Sequence, residues 1–177
     1  VDADITLEAR DNITFTDPVF LGEDGTTAGL KARAGQEIRV ESTSGIRAAS
    51  IELSANDPGG NADGTGGITI SAPLDTSQVP GGPVTLTTNG GSGPISLNVD
   101  SLLGDKVVQT DGGDVGFGDP ALGGSVLLAQ DTSIDTETGE NDPSGLIDLA
   151  DVTVSSIGGS HRLSLSTVVS GPHDTGE

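Results

Sequence analysis

A three-residue phrase recurs thirteen times in 177 residues: an apolar residue, a usually polar one and another apolar one, nearly always bracketed by Gly, Asp, Asn, Ser or Pro. The copies are Ile5-Thr6-Leu7, Ile13-Thr14-Phe15, Leu30-Lys31-Ala32, Ile38-Arg39-Val40, Ile51-Glu52-Leu53, Ile68-Thr69-Ile70, Val84-Thr85-Leu86, Ile95-Ser96-Leu97, Val115-Gly116-Phe117, Val126-Leu127-Leu128, Ile147-Asp148-Leu149, Val152-Thr153-Val154 and Leu163-Ser164-Leu165. Side chains alternate between the two faces of a strand, so each phrase sends two residues into a core and the middle one to water. So short a strand buries too little to stand alone. It must stack on equivalent strands above and below, which is how a solenoid is held together.

Composition supports strands over helices. Aromatics are limited to Phe15, Phe20 and Phe117, and the remaining apolar set is Ile, Val, Leu and Ala, of which the β-branched members suit a pleated surface. With 28 Gly and 9 Pro, no window keeps apolar residues at helical spacing for long. Low hydrophobicity (32%) with a net charge of -20 is also the signature of disorder. The regular spacing of the triads, with turn residues between them, opposes that reading for all but the last stretch.

Triads eight residues apart, Ile5 to Ile13 and Leu30 to Ile38, read as consecutive strands joined by tight turns; Ala55 to Gly67 reads as a longer loop. With two or three strands per coil, a coil takes roughly 20 to 25 residues and the chain makes about seven or eight coils. The expected architecture is an all-β parallel β-helix (β-solenoid) over residues 1–169, with residues 170–177 as a polar tail or linker. The alternative is a β-sandwich, which needs longer strands and larger core side chains.

The absence of Cys excludes a disulfide scaffold and Cys-based metal or redox sites. The absence of Met implies a processed product or a piece of a longer chain. No apolar run is long enough to span a membrane. Five of the seven basic residues lie in the first 50 positions, and none lies between Lys106 and Arg162, an interval that holds ten acidic ones. Such a surface repels phosphate backbones, which argues against nucleic acid, and attracts divalent cations.

Candidate Ca²⁺ ligands follow from that charge. The segment Asp131 to Asp142, with Asp135 and Glu137, and the loop carrying Asp57 and Asp63 offer hard oxygen ligands on turns. Neither has the EF-hand order. The competing explanation is solvated acidic loops that keep a rod soluble.

Catalysis finds less support. Glycan cleavage needs paired carboxylates, a base and groups that hold the sugar, whereas here the carboxylates are scattered on turns and no Trp or Tyr can stack a ring. His161 and His173 are isolated, and no Ser-His-Asp spacing stands out. Thr6, Thr14, Thr69, Thr85 and Thr153 occupy middle positions and could align as a hydroxyl stripe of the kind used for ice binding. The β propensity of threonine explains them more simply.

Three passages also carry a resemblance: Ala3-Asp4-Ile5-Thr6-Leu7-Glu8-Ala9 with Asp11-Asn12-Ile13-Thr14-Phe15, Gly66-Gly67-Ile68-Thr69-Ile70, and Gly112-Gly113-Asp114-Val115-Gly116-Phe117-Gly118. In repeat style they resemble very long bacterial exoproteins, the filamentous-haemagglutinin-like β-helix adhesins. The resemblance implies a non-catalytic structural or adhesive shaft at the bacterial cell surface or outside the cell. Its expected partners are further segments of the same long chain, a second copy stacked head-to-tail into a filament, and a host or matrix surface.

Overall fold

Twelve of the thirteen triads lie wholly on strands, and Ile147-Asp148-Leu149 lies on one but for its last residue, in the computed structural model, which describes residues 3–21, 27–99, 106–119, 122–138, 144–149 and 151–167. The strands come in threes, each triplet one lap of the chain. The first lap is β1 (Ile5–Ala9), β2 (Ile13–Phe15) and β3 (Val19–Phe20); the second is β4 (Leu30–Ala34), β5 (Ile38–Val40) and β6 (Ile46–Arg47). The third is β7 (Ile51–Ser54), β8 (Ile68–Ile70) and β9 (Leu74–Asp75), and the fourth is β10 (Val84–Thr87), β11 (Ile95–Leu97) and β12 (Val108–Gln109). The fifth is β13 (Val115–Phe117), β14 (Gly124–Leu128) and β15 (Thr132–Asp135), and the sixth is β16 (Ile147–Asp148), β17 (Val152–Ser156) and β18 (Leu163–Ser166).

Equivalent strands of successive laps pair in parallel and build three six-stranded walls, β1-β4-β7-β10-β13-β16, β2-β5-β8-β11-β14-β17 and β3-β6-β9-β12-β15-β18. This is the expected β-solenoid, with about five turns from β1 to β16. It has no helix among the described residues, and none long and apolar enough to cross a membrane. Laps of roughly 20 to 25 residues throughout would give seven or eight. In fact the register steps from Ile5 to Leu30 and on to Ile51 take 25 and 21 residues, whereas those to Val84, Val115 and Ile147 take 33, 31 and 32. Loops at the corners, such as 55–67, account for the longer laps.

The interior consists of vertical rows. The first wall contributes Ile5, Leu30, Ile51, Val84, Val115 and Ile147 in one row and Leu7, Ala32, Leu53, Leu86 and Phe117 in the next. Ile13, Ile38, Ile68, Ile95, Val126 and Val154 form a row of the second wall. The third wall supplies one apolar row, Val19, Ile46, Leu74, Val108, Ile134 and Leu165. The members of these rows in the second to fifth laps are buried in one continuous core. Burying each large aliphatic side chain contributes about 1.5–3 kcal/mol.

The corners carry their own ladders. Between the third and first walls, Thr76, Thr110 and Thr136 are fully buried, and their hydroxyls donate to the Gly82, Gly113 and Gly145 carbonyls at 2.6, 2.7 and 2.9 Å. These glycines stack so closely that a Cβ on Gly113 would collide with the Gly82 backbone, and one on Gly145 with that of Gly113. Between the first and second walls, Asn56 and Asn89 take left-handed backbone conformations (φ 52° and 48°), which Asn tolerates better than most residues. Asn89 Nδ2 donates to Ala55 O at 2.7 Å, and Asn56 Nδ2 donates to Gly66 O and, one lap up, to Thr88 O. Buried backbone carbonyls at the turns therefore find partners in side chains where the parallel ladders end.

Candidate functional site

With the interior filled by side chains, chemistry can lie only on the outward rows, the corner loops and the two ends. On the first wall the middle outward row reads Thr6, Lys31, Glu52, Thr85, Gly116, Asp148. On the second it reads Thr14, Arg39, Thr69, Ser96, Leu127, Ser155. The five expected threonines therefore do not share one stripe. Thr6 and Thr85 lie on the first wall, Thr14 and Thr69 on the second, and Thr153 pairs with Ser125, two positions away from that row.

Four of the seven basic residues circle the second lap: Lys31 and Arg33 on β4, Arg39 on β5 and Arg47 on β6. Each meets a carboxylate. Lys31 Nζ lies 2.6 Å from Glu52 and Arg47 Nε 3.0 Å from Asp75, both one lap up, while Arg39 Nη2 reaches Glu37 at 2.8 Å. Arg33 stands between Glu8 and Asp57 at 3.8 and 3.9 Å, spanning the laps below and above. The girdle therefore stitches the first three laps together, using up much of the positive charge of an acidic chain.

The candidate calcium ligands divide between two places. Asp57 and Asp63 sit in the 55–67 loop at the corner between the first and second walls of the third lap. Asp57 Oδ1 accepts the Gly59 N–H at 2.9 Å. Asp63 Oδ1 accepts both the N–H and the hydroxyl of Thr65 at 2.8 Å, and these bonds, the backbone N–H first, hold its carboxyl below the usual range. Asp131, Asp135 and Glu137 lie along the third wall of the fifth lap. Asp131 Oδ1 accepts the Arg162 N–H at 2.9 Å with His161 Nδ1 3.8 Å away, and Asp135 meets Lys106 Nζ at 3.6 Å and the Glu137 N–H at 3.2 Å. Asp142 lies outside the described residues, as do His173 and the expected tail 170–177. Among the described residues no three His, Asp or Glu side chains surround a common centre.

The third wall holds what the triads could not show. Its outward row runs Phe20, Arg47, Asp75, Gln109, Asp135, Ser166. Burial pushes the Asp75 carboxyl up, but the Ser77 hydroxyl and N–H, the Gln109 side chain and Arg47 outweigh it and hold the pKa below the ordinary value. Just past the strands, Asp111 and Glu137 are bridge partners on consecutive laps, and both are buried. A signal for this wall does exist in the sequence: Leu74-Asp75-Thr76-Ser77, Val108-Gln109-Thr110-Asp111 and Ile134-Asp135-Thr136-Glu137 repeat one pattern, apolar, polar, Thr, polar.

The ends differ from the shaft in polarity. Ile5 and Leu7 on the first lap, and Val154 and Leu165 on the sixth, are exposed although their row neighbours on the adjacent lap are buried. Compared with protein-family models, with characterised proteins and with solved structures, the chain matches none.

Proposed function

We propose that this chain is a structural segment: a polar-walled β-solenoid rod that serves as shaft material of a bacterial surface adhesin, fibre or sheath, and acts by its geometry without catalysis. One observation carries the reading. The inward rows stay apolar from lap to lap while the outward rows change residue type at nearly every step, so what recurs through the chain is the stack and not a surface group. The likeness of the repeats to those of filamentous-haemagglutinin-like adhesins supports placing the rod outside the cell. Protease added to intact producing bacteria tests that placement: the rod is expected to be digested without lysis, and a rod that survives until the cells are broken overturns it. Release of unsaturated or reducing sugar ends from acidic polysaccharides would replace the structural reading with an enzymatic one.

A second reading, a matrix module supported by Ca²⁺, is favoured by the charge of the chain, since residues 107–161 hold ten Asp or Glu and no Lys or Arg. Such an excess of carboxylates attracts divalent cations. Its measurement is the melting temperature in millimolar calcium against excess chelator, where a rise of several degrees supports the module and equal values reject it.

A further inference from the structure

We propose that Asn89 is a site of spontaneous covalent modification that is held shut by the corner it builds. When the fourth lap lifts from the third, the amide nitrogen of Gly90 closes on the Asn89 carboxamide and converts it to aspartate or isoaspartate.

Six asparagines occur in the chain, and Asn89 alone is followed by glycine. A side chain on the following residue crowds the approach of its nitrogen to the carboxamide, whereas glycine has none and moves most freely. The turn itself calls for this pair. Asn89 and Gly90 are both left-handed, with φ of 48° and 72°, and the Gly91 N–H donates to Thr88 O at 2.8 Å across them. That is the pattern of a type I′ turn, which favours Asn and then Gly. Leu122 of the next lap also lies over Gly90, so that a Cβ there would stand 2.8 Å from its Cδ1. The corner therefore needs a chemically labile pair at its tip.

The reaction consumes only water. Gly90 N loses its proton to hydroxide and bonds to Asn89 Cγ; the Cγ–Nδ2 bond breaks, and Nδ2 takes up protons from water and leaves as ammonia. Water then opens the five-membered imide at one of its two carbonyls. One opening gives aspartate, and the other gives isoaspartate, in which the main chain runs through the side chain. Nothing is oxidised or reduced.

In the folded corner the nucleophile is at hand but the carboxamide is not. Gly90 is exposed, and its N–H makes no hydrogen bond among the described residues. Asn89 Nδ2, however, donates to Ser54 Oγ at 2.8 Å and to Ala55 O at 2.7 Å, which ties the leaving nitrogen to the third lap and keeps the carboxamide from swinging onto Gly90. Asn56, at the same corner one lap away and also left-handed, is closed on both sides. Its Nδ2 donates to Gly66 O and Thr88 O, and the N–H that would attack it, that of Asp57, donates to Ala34 O at 2.9 Å.

Conversion runs one way. Ala55 is fully buried, and the new carboxylate sets an oxygen, with no N–H to give, against its carbonyl. The third and fourth laps then no longer reseat as before, so Asn89 keeps a permanent chemical mark of an opening in the middle of the solenoid.

Peptide mapping by mass spectrometry, after incubation of the full chain at mildly alkaline pH, tests this with the chain folded in buffer and unfolded in urea. In urea Asn89 is expected to convert before any other asparagine. Folding is expected to slow it at least about tenfold, because only the open fraction reacts. Ser54→Ala removes one acceptor of Nδ2 and is expected to raise the folded-state rate severalfold while leaving the rate in urea unchanged. Thr136→Val weakens a different corner and is expected to leave both rates as in the parent. Asn89→Asp stands for the product and is expected to unfold at a lower urea concentration than the parent. Equal rates in the folded and unfolded parent, another asparagine converting first in urea, a Thr136→Val chain that converts as fast as Ser54→Ala, or an unshifted midpoint for Asn89→Asp overturns the proposal. The comparison of folded with unfolded parent decides it even if Ser54→Ala loses its β circular dichroism.

Discussion

Arg47 Nε stands 3.0 Å from Asp75 Oδ2, and the two residues are direct register partners on adjacent laps of the third wall. The guanidinium also lies 5.8 Å from the centre of the Phe20 ring on the lap below. Cation, ring and carboxylate thus link three consecutive laps on the wall that has the fewest apolar residues. Asp75 is almost wholly buried there, so its charge depends on these neighbours and on Ser77.

Asp75→Asn is expected to destabilise the chain at pH 7, and the difference from the parent to shrink as the pH falls below about 4. The sign follows from the depressed carboxyl pKa: the ionised group stabilises the fold above the unfolded-state pKa, and that contribution is lost as the pH drops through the folded one. Urea unfolding of both proteins at pH 7 and pH 3 measures it. A difference that is unchanged or larger at pH 3 contradicts the assignment.

Gly113→Ala and Gly116→Ala are expected to diverge. A Cβ at Gly113 meets the Gly82 backbone, which cannot swing aside, while one at Gly116 meets nothing within 4 Å. The first should cost about 2–3 kcal/mol or more. The second should be neutral or stabilise by up to about 1 kcal/mol, because Gly weakens a strand and loses the most entropy on folding. Equal melting temperatures for the two variants would refute the stacked-glycine corner.

Thr110→Val keeps the shape of a fully buried side chain and removes the hydroxyl that donates to Gly113 O at 2.7 Å. The carbonyl stays buried, so the expected cost is about 1–3 kcal/mol. Thr85→Val, on the exposed outward row, is expected within about 0.5 kcal/mol of the parent. Chemical denaturation of the two variants side by side reads the contrast.

Leu86→Ala and Leu7→Ala change the same row at different heights. Leu86 has neighbours above and below and no exposure, whereas Leu7 lies on the end lap at 38%. The expected costs are about 2–5 kcal/mol for the first and about 1 kcal/mol for the second in the monomer. A solenoid makes the effect of one substitution depend on its lap. Thermal melts of the two variants test this, and equal losses would contradict it.

How far the fold was readable depended on which wall a residue belongs to. A triad announces itself because two inward residues flank one outward residue, and twelve of the thirteen triads fall on the first two walls. Only Leu163-Ser164-Leu165 belongs to the third. There β3, β6, β9 and β12 are two residues long and offer a single inward side chain, Val19, Ile46, Leu74 or Val108, which has no period to detect. Uneven laps had a similar cause, since corner loops add length without adding a strand. Of the acidic candidates, Asp57 and Asp63 look like neighbours of a cation site on composition alone, yet each has its Oδ1 turned onto a backbone N–H two residues on. Asp111, by contrast, looks like any turn residue in the sequence, yet it is buried as the bridge partner of Glu137 on the next lap.

The unequal laps give the rod a mechanical character. Tension applied to the chain would peel it from an end, one lap at a time, because each lap is held only by the lap it rests on. Laps of 21 to 33 residues release roughly 70 to 110 Å of extended chain apiece. Single-molecule pulling should show these as discrete steps of unequal size, the shorter ones from the laps bound by the ionic girdle. A solenoid built this way yields in instalments under load, and each lap that lets go leaves the next one intact to bear the strain.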